Sequence, residues 1–197
     1  MAKKSNEKYD AILDAAAKII GEVGYHKAQI SKIAREAKVA EGTIYLYFAN
    51  KQDLLLSLFQ KRFGQFINTL KNEINPEDHP LEKLKKLVKL HLENSEKDRS
   101  FAQVTQIELR QADRELRQKL SELLRDYFGI IEMVIDEGKS KGVFRNDIST
   151  KMIRRLIFGT LDEMVTSWVL STRQYGLAIH AEETVELFSS GILKKKG

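Results

Sequence analysis

The 197-residue chain contains no cysteine. That excludes disulfide frameworks, thiolate zinc sites, iron–sulfur clusters and cysteine nucleophiles together. Proline occurs only twice, as Pro76 and Pro80, tryptophan once and glycine eleven times. So few breakers among so many Leu, Ile, Lys, Glu and Ala residues predict an all-α chain. No β-type alternation persists over a useful length. No run approaches the roughly 18 apolar residues needed to span a bilayer. The residues after Met1 are charged rather than an apolar signal core. The expectation is a cytoplasmic protein with no membrane partner. The histidines His26, His79, His91 and His180 are scattered, and no two have metal-ligand spacing. No metal or cofactor is therefore expected. Asp162 and Glu163 pair two carboxylates, but no nucleophile, phosphate loop or metal motif accompanies them. The chain reads as a non-enzyme.

What is present is a soluble composition, 42% hydrophobic and 31% charged, with a net charge of +5. The charge is uneven. Residues 1–51 carry nine Lys/Arg against six Asp/Glu, while the remaining residues carry 24 against 22. A basic N-terminal quarter points to a polyanion partner.

Apolar residues at three- and four-residue steps predict about nine helices. The first covers residues 6–23, with Tyr9, Ile12, Leu13, Ala16 and Ile20 in one stripe. Two short helices follow, over 29–38 and 43–48, around a polar turn that includes Gly42. Asn50 is placed to cap a long helix over 51–74, with Asp53 as its reciprocal partner. Residues 75–80 form a linker, and Pro80 suits the first position of the next helix. Further helices follow, and the last runs over 181–193. The domains are expected at 1–50 for an N-terminal head and 51–197 for a larger body.

A short second helix with small residues at its start suits entry into a major groove. Gly42 and Thr43 permit close backbone approach, Tyr45 and Tyr47 offer hydroxyl donors, and Lys51 heads a helix whose N-terminal amides favour anions. The strings Ile30-Ser31-Lys32-Ile33-Ala34, Val39-Ala40-Glu41-Gly42-Thr43-Ile44-Tyr45-Leu46-Tyr47-Phe48 and Asn50-Lys51 closely resemble the DNA-binding domain of the TetR family of regulators. The resemblance implies a three-helix head with a helix-turn-helix, on a helical body that binds a ligand and dimerises. It implies that Gly42, Thr43 and Tyr45 meet the DNA, that Tyr47 and Lys51 hold phosphates, and that Gln29, Ser31 and Lys32 lie near the backbone. Glu41 stands where many relatives carry a basic residue. A carboxylate there either accepts from a cytosine amino group or stabilises the helix N-terminus.

In the body, Val104–Gln111, Leu116–Lys119, Ile157–Glu163 and Thr166–Val169 resemble the acyl-CoA-responsive regulators of fatty-acid degradation within that family. The resemblance implies a repressor that leaves a pseudo-palindromic operator on binding long-chain acyl-CoA. Such an effector needs an apolar tunnel and a polyanion clamp. Phe63, Phe66, His91, Phe101, Val104, Ile107, Phe128, Ile131, Phe158 and Leu161 are the lining candidates, with ordinary core packing as the alternative. Arg110, Arg114 and Arg117 are the clamp candidates, on one face if a single helix carries them. The alternative there is a solvated face paired to Glu108, Asp113 and Glu115. Trp168, Val169, Val185 and Phe188 are the expected interface of a homodimer. The fourth helix is the expected lever between ligand and DNA. A different hydrophobic effector, of the multidrug type, is the alternative.

Overall fold

The computed structural model describes residues 2–111 and 114–194, with only the backbone for residues 2–5, 108, 109, 111, 114 and 115. Among the described residues there are nine α-helices: α1 (Ala2–Val23), α2 (Ile30–Glu36), α3 (Glu41–Tyr45), α4 (Lys51–Glu73), α5 (Pro80–Lys97), α6 (Arg99–Gln111), α7 (Arg114–Ser140), α8 (Thr150–Leu170) and α9 (Ala181–Ile192). A short 3-10 turn, Ala178–His180, precedes α9. One isolated antiparallel bridge joins Phe144 and Leu193.

The chain forms two compact units. The first comprises Met1–Gly64 and Ser100–Leu123, the second Gln65–Arg99 and Leu124–Gly197. The boundary expected after residue 50 thus falls inside the first unit. The reason is the apolar face of α4. Leu54, Leu55, Leu58 and Phe59 are wholly buried in the same cluster as Ile12, Leu13 and Ile20 of α1, Ile33 of α2 and Ile44 of α3. Detaching residues 1–50 would expose that cluster. Phe101, Val104, Leu116 and Leu120 complete it.

Local chemistry explains most helix ends. Asn50 caps α4 by accepting from the Asp53 N–H at 2.8 Å. The reciprocal bond from Asp53 reaches one residue further than expected, to the Ala49 N–H at 2.9 Å. Pro80 opens α5 at a position where a missing N–H costs nothing. The turn between α2 and α3 is built without glycine. Lys38 takes the left-handed conformation, with φ 55°. The Val39 N–H then reaches Ala34 O and the Lys38 N–H reaches Arg35 O, which is a Schellman closure. Gly42 lies within α3 instead.

In the second unit α5 packs against α8 and α9. Lys83 is buried there, donating to Glu137 Oε2 at 2.6 Å and to Pro76 O at 2.7 Å. The flanking lysines Lys83 and Lys141 hold the Glu137 carboxyl below its ordinary range.

Candidate functional site

The first unit displays the candidate reading surface. α2 and α3 bury only Ile33, Ala34 and Ile44. Gln29, Ser31, Lys32, Glu41, Gly42 and Tyr45 are exposed, and Thr43 is half-buried. Glu41 sits in the first turn of α3, where an anion complements the helix dipole. Tyr45 is 52% exposed and Leu46 is 82% exposed. Sequence reasoning passed over Leu46, because an isolated apolar residue carries no signal of its own.

Tyr47 and Lys51 are held differently. The Tyr47 ring packs edge-on to Tyr9, with centroids 6.0 Å apart, and Tyr9 stacks on the buried Phe48 at 5.1 Å. Lys51 lies over the Tyr25 ring at 4.6 Å and donates to His26 O at 3.2 Å. It thereby ties the turn after α1 to the start of α4. A phosphate would join or replace that contact.

The lining candidates fall in two clusters, each within one unit. In the first unit the Phe63 ring stacks on Phe59 at 5.9 Å and meets Phe101 edge-on at 5.7 Å, with Val104 fully buried beside them in the same core. Ile107 is half-buried. In the second unit Phe66, His91, Phe128 and Phe158 surround Tyr127. Ile131 and Leu161 are buried. Tyr127, absent from the sequence candidates, is the hub of this cluster, and its hydroxyl lies 2.7 Å from His91 Nδ1.

The clamp expectation rested on one continuous helix. Arg110 stands on α6 and Arg117 on α7, and residues 112 and 113 between them lie outside the described residues. Arg110 on α6 donates to both Gln106 O and Gln106 Oε1 at 2.6 Å. Arg110 and Arg117 are exposed. The Arg114 side chain lies outside the described residues, as do those of Glu108, Asp113 and Glu115. Arg154 stacks on the Phe128 ring at 4.5 Å and pairs with Glu132 at 2.8 Å.

The expected interface residues are packed within the protomer. Trp168, Val169, Val185 and Phe188 are 3–7% exposed in a single protomer. Arg99 lies over the Trp168 ring at 4.2 Å, and the indole N–H donates to Tyr175 O at 2.9 Å. These side chains pack in the core of the second unit. The exposed apolar residues of this region are others: Leu156, Leu170, Ile179 and Leu187, each 47–73% exposed. Leu187 lines a groove of about 380 Å³ together with Thr160, Met164, Ser167, Tyr175 and His180 among others. Periodicity alone could not separate the inner stripe of α8 and α9 from the outer one, because both carry apolar residues.

Burial lowers the His91 pKa to about 4. The unfolded chain takes up a proton near 6.5 while the folded chain does not. Stability is therefore expected to fall as pH drops from 6.5 to 4, by as much as about 3 kcal/mol, and to show no His91 contribution above that window. Denaturant melts of the intact protein and of His91→Phe across this range check it, since the variant should lose most of that slope. Glu137 acts lower. Its depressed pKa adds stability above the ordinary glutamate range that is lost on further acidification.

No group of metal-ligating side chains occurs among the described residues. Nor is any helix among them long and apolar enough to cross a membrane.

Two family models divide the chain. The N-terminal model of bacterial regulatory proteins of the tetR family matches residues 12–58, and the C-terminal region of YsiA-like proteins matches residues 59–191. The fatty acid metabolism regulator protein of Bacillus subtilis (strain 168) is 43% identical over 98% of this chain and 100% of its own. Among solved structures, the fatty acid degradation regulator FadR from Bacillus halodurans aligns with a TM-score of 0.89 at 46% identity, covering 93% of this chain and 95% of its own. FadR from Bacillus subtilis, solved in complex with stearoyl-CoA, aligns with a TM-score of 0.88 at 43% identity, covering 93% and 99%.

Proposed function

Because this chain belongs to the TetR family of bacterial regulators, we propose that it is a DNA-binding repressor of fatty-acid degradation genes. Long-chain acyl-CoA is the effector that releases it. The observation that carries this reading is whole-length kinship above 40% identity with regulators of fatty-acid metabolism, one of them solved with stearoyl-CoA. Kinship of that extent covers the body as well as the head, and the body is where effectors differ between relatives.

The residues support each role. α3 presents Gly42, Thr43 and Tyr45 outward for a major groove, with Glu41 in its first turn. Gln29, Ser31 and Lys32 at the start of α2, and Tyr47 and Lys51 beyond α3, take the phosphates on either side. In the second unit, the aromatic cluster around Tyr127 offers a wall for an acyl chain, and each buried methylene contributes roughly 0.8 kcal/mol. Arg110, Arg117 and Arg154 supply guanidinium forks suited to the phosphates of CoA.

The repressor acts as a homodimer, because two copies of α3 read the two halves of a pseudo-palindrome. Its interface is formed by the exposed apolar residues Leu156 and Leu170 of α8, Ile179 of the 3-10 turn and Leu187 of α9. Leu187→Glu is expected to sediment as a monomer, whereas retention of the dimer would place the interface elsewhere. Release needs unequal ligand affinity for the two states of the dimer. Moving DNA-competent protein from 99:1 to 1:99 takes roughly 5.5 kcal/mol of difference.

Calorimetry with stearoyl-CoA, free CoA and stearate tests the effector. Stearoyl-CoA alone should bind tightly, and Arg110→Ala or Arg117→Ala should weaken it. Absence of heat with all three would redirect the reading to a different hydrophobic effector.

A further inference from the structure

The second unit contains one polar pair that packing does not explain. His91 on α5 and Tyr127 on α7 stack at 5.6 Å among phenylalanines. Phe66 lies 6.0 Å from the His91 ring and 5.4 Å from Tyr127, and Phe158 lies 6.2 Å from Tyr127. Tyr127 is 1% exposed. Among the described residues its hydroxyl has one hydrogen-bond partner, His91 Nδ1 at 2.7 Å.

That geometry fixes the tautomer. A proton on Nδ1 would donate to the tyrosine oxygen and leave the tyrosine O–H without an acceptor, surrounded by rings. Stranding a buried donor is costly. The Tyr127 O–H therefore donates to Nδ1, and the neutral imidazole carries its proton on Nε2. The Nε2–H has no partner among the described residues, and it is not one of the sealed, unsatisfied side-chain atoms. His91 retains accessible surface. Burial holds its pKa near 4, so the ring is neutral at ordinary pH. The imidazole is an oriented, neutral donor set against the rings of Phe66 and Tyr127.

We propose that His91 Nε2–H donates to the thioester carbonyl of the acyl-CoA effector, and that Tyr127 is the positioning residue that holds His91 in this tautomer. The proposal rests on the acyl-CoA reading above. Three points of chemistry select the carbonyl. A donor requires an acceptor, which a methylene chain does not provide. A phosphate or carboxylate would shed its hydration for a single neutral donor, a poor exchange. The thioester oxygen is a neutral acceptor on the chain itself. Anchoring it would set the register of the acyl chain, so that length selectivity is counted from that point. A chain slipped past the anchor would leave the Nε2–H facing methylenes, which penalises wrong registers.

The test compares stearoyl-CoA with S-octadecyl-CoA, a thioether with the same chain and no carbonyl, by calorimetry on the intact protein. The thioester is expected to bind roughly five- to tenfold more tightly, the net effect of one hydrogen bond. In His91→Phe the ratio should fall to near one, and in Tyr127→Phe it should shrink. His91→Gln, which retains an N–H donor, should recover part of it. Nitrogen NMR of the unmodified protein should find His91 protonated at Nε2. Equal affinities in the unmodified protein, or an unchanged ratio in His91→Phe, would overturn the anchor and leave the effector reading intact. Binding of neither ligand would overturn both. The comparison in the unmodified protein needs no variant to fold.

Discussion

Gly42→Leu is expected to abolish operator binding while leaving the protein fully folded. Gly42 occupies the second position of α3, and its backbone is not in the left-handed region that favours glycine. A Cβ built there meets nothing within 4 Å. Inside a helix, glycine costs about 1 kcal/mol relative to alanine. The fold thus carries a glycine that its own packing does not require, and on the proposed function its use is the close approach of DNA. A DNA backbone or base edge approaching α3 would occupy the space a leucine fills. Lifting α3 from the groove forfeits several contacts of about 1–3 kcal/mol each, so the affinity loss should reach at least two orders of magnitude. Fluorescence anisotropy on a duplex selected by the unmodified protein reads the affinity, and a thermal melt reads the fold. A variant that binds DNA normally would remove Gly42 from the interface. A variant that melts early would make Gly42 a structural residue after all.

Gly138→Ala is expected to destabilise the second unit severely, with no effect exerted through DNA contacts. The Cβ of an alanine at 138 would lie 2.1 Å from the Phe144 ring, and Phe144 is fully buried. Such an overlap cannot be absorbed by a small adjustment, because the ring is gripped on all sides. Phe144 also anchors the end of α9. Arg145 N donates to Ile192 O at 2.9 Å, and Lys194 N donates to Val143 O at 3.0 Å. Displacing the ring therefore loosens that bridge as well. Overpacking of this kind costs about 1–3 kcal/mol and occasionally more, and the lost bridge adds to it. For a domain of this size the melting temperature should fall by roughly 10 °C. Adding Phe144→Leu to Gly138→Ala should recover part of the loss, because a smaller side chain makes room for the methyl group. No recovery would mean that the steric conflict lies elsewhere.

The two glycines mark how far the sequence could be read. Gly42 stands out as a candidate because it lies in a string, Gly42-Thr43-Ile44-Tyr45-Leu46-Tyr47-Phe48, that resembles the DNA-binding domain of the TetR family. Gly138 carries no packing signal in the sequence; its partner Phe144 becomes visible only when the chain doubles back. The same limit explains the other differences. Pro80 and Asn50 fixed helix starts locally, and both helices begin where those residues dictate. The turn before α3 depends on Lys38 in a left-handed conformation, which no propensity assigns to lysine. Trp168 and Phe188 have the spacing of an outward stripe as much as an inward one, and packing against Arg99, Tyr175 and α5 decided for the core. His91 was readable as a lining candidate on an apolar helix. Its hydrogen bond with Tyr127, 36 residues away, was not.

One titration tests the central claim most directly. The protein is bound to a labelled operator duplex and stearoyl-CoA is added, with free CoA and stearate as controls. The predicted result is release by stearoyl-CoA at near-stoichiometric concentrations, no release by either control, and a weakened response in Arg110→Ala. Operator complexes that persist at saturating stearoyl-CoA would contradict a repressor released by acyl-CoA, even if the ligand binds.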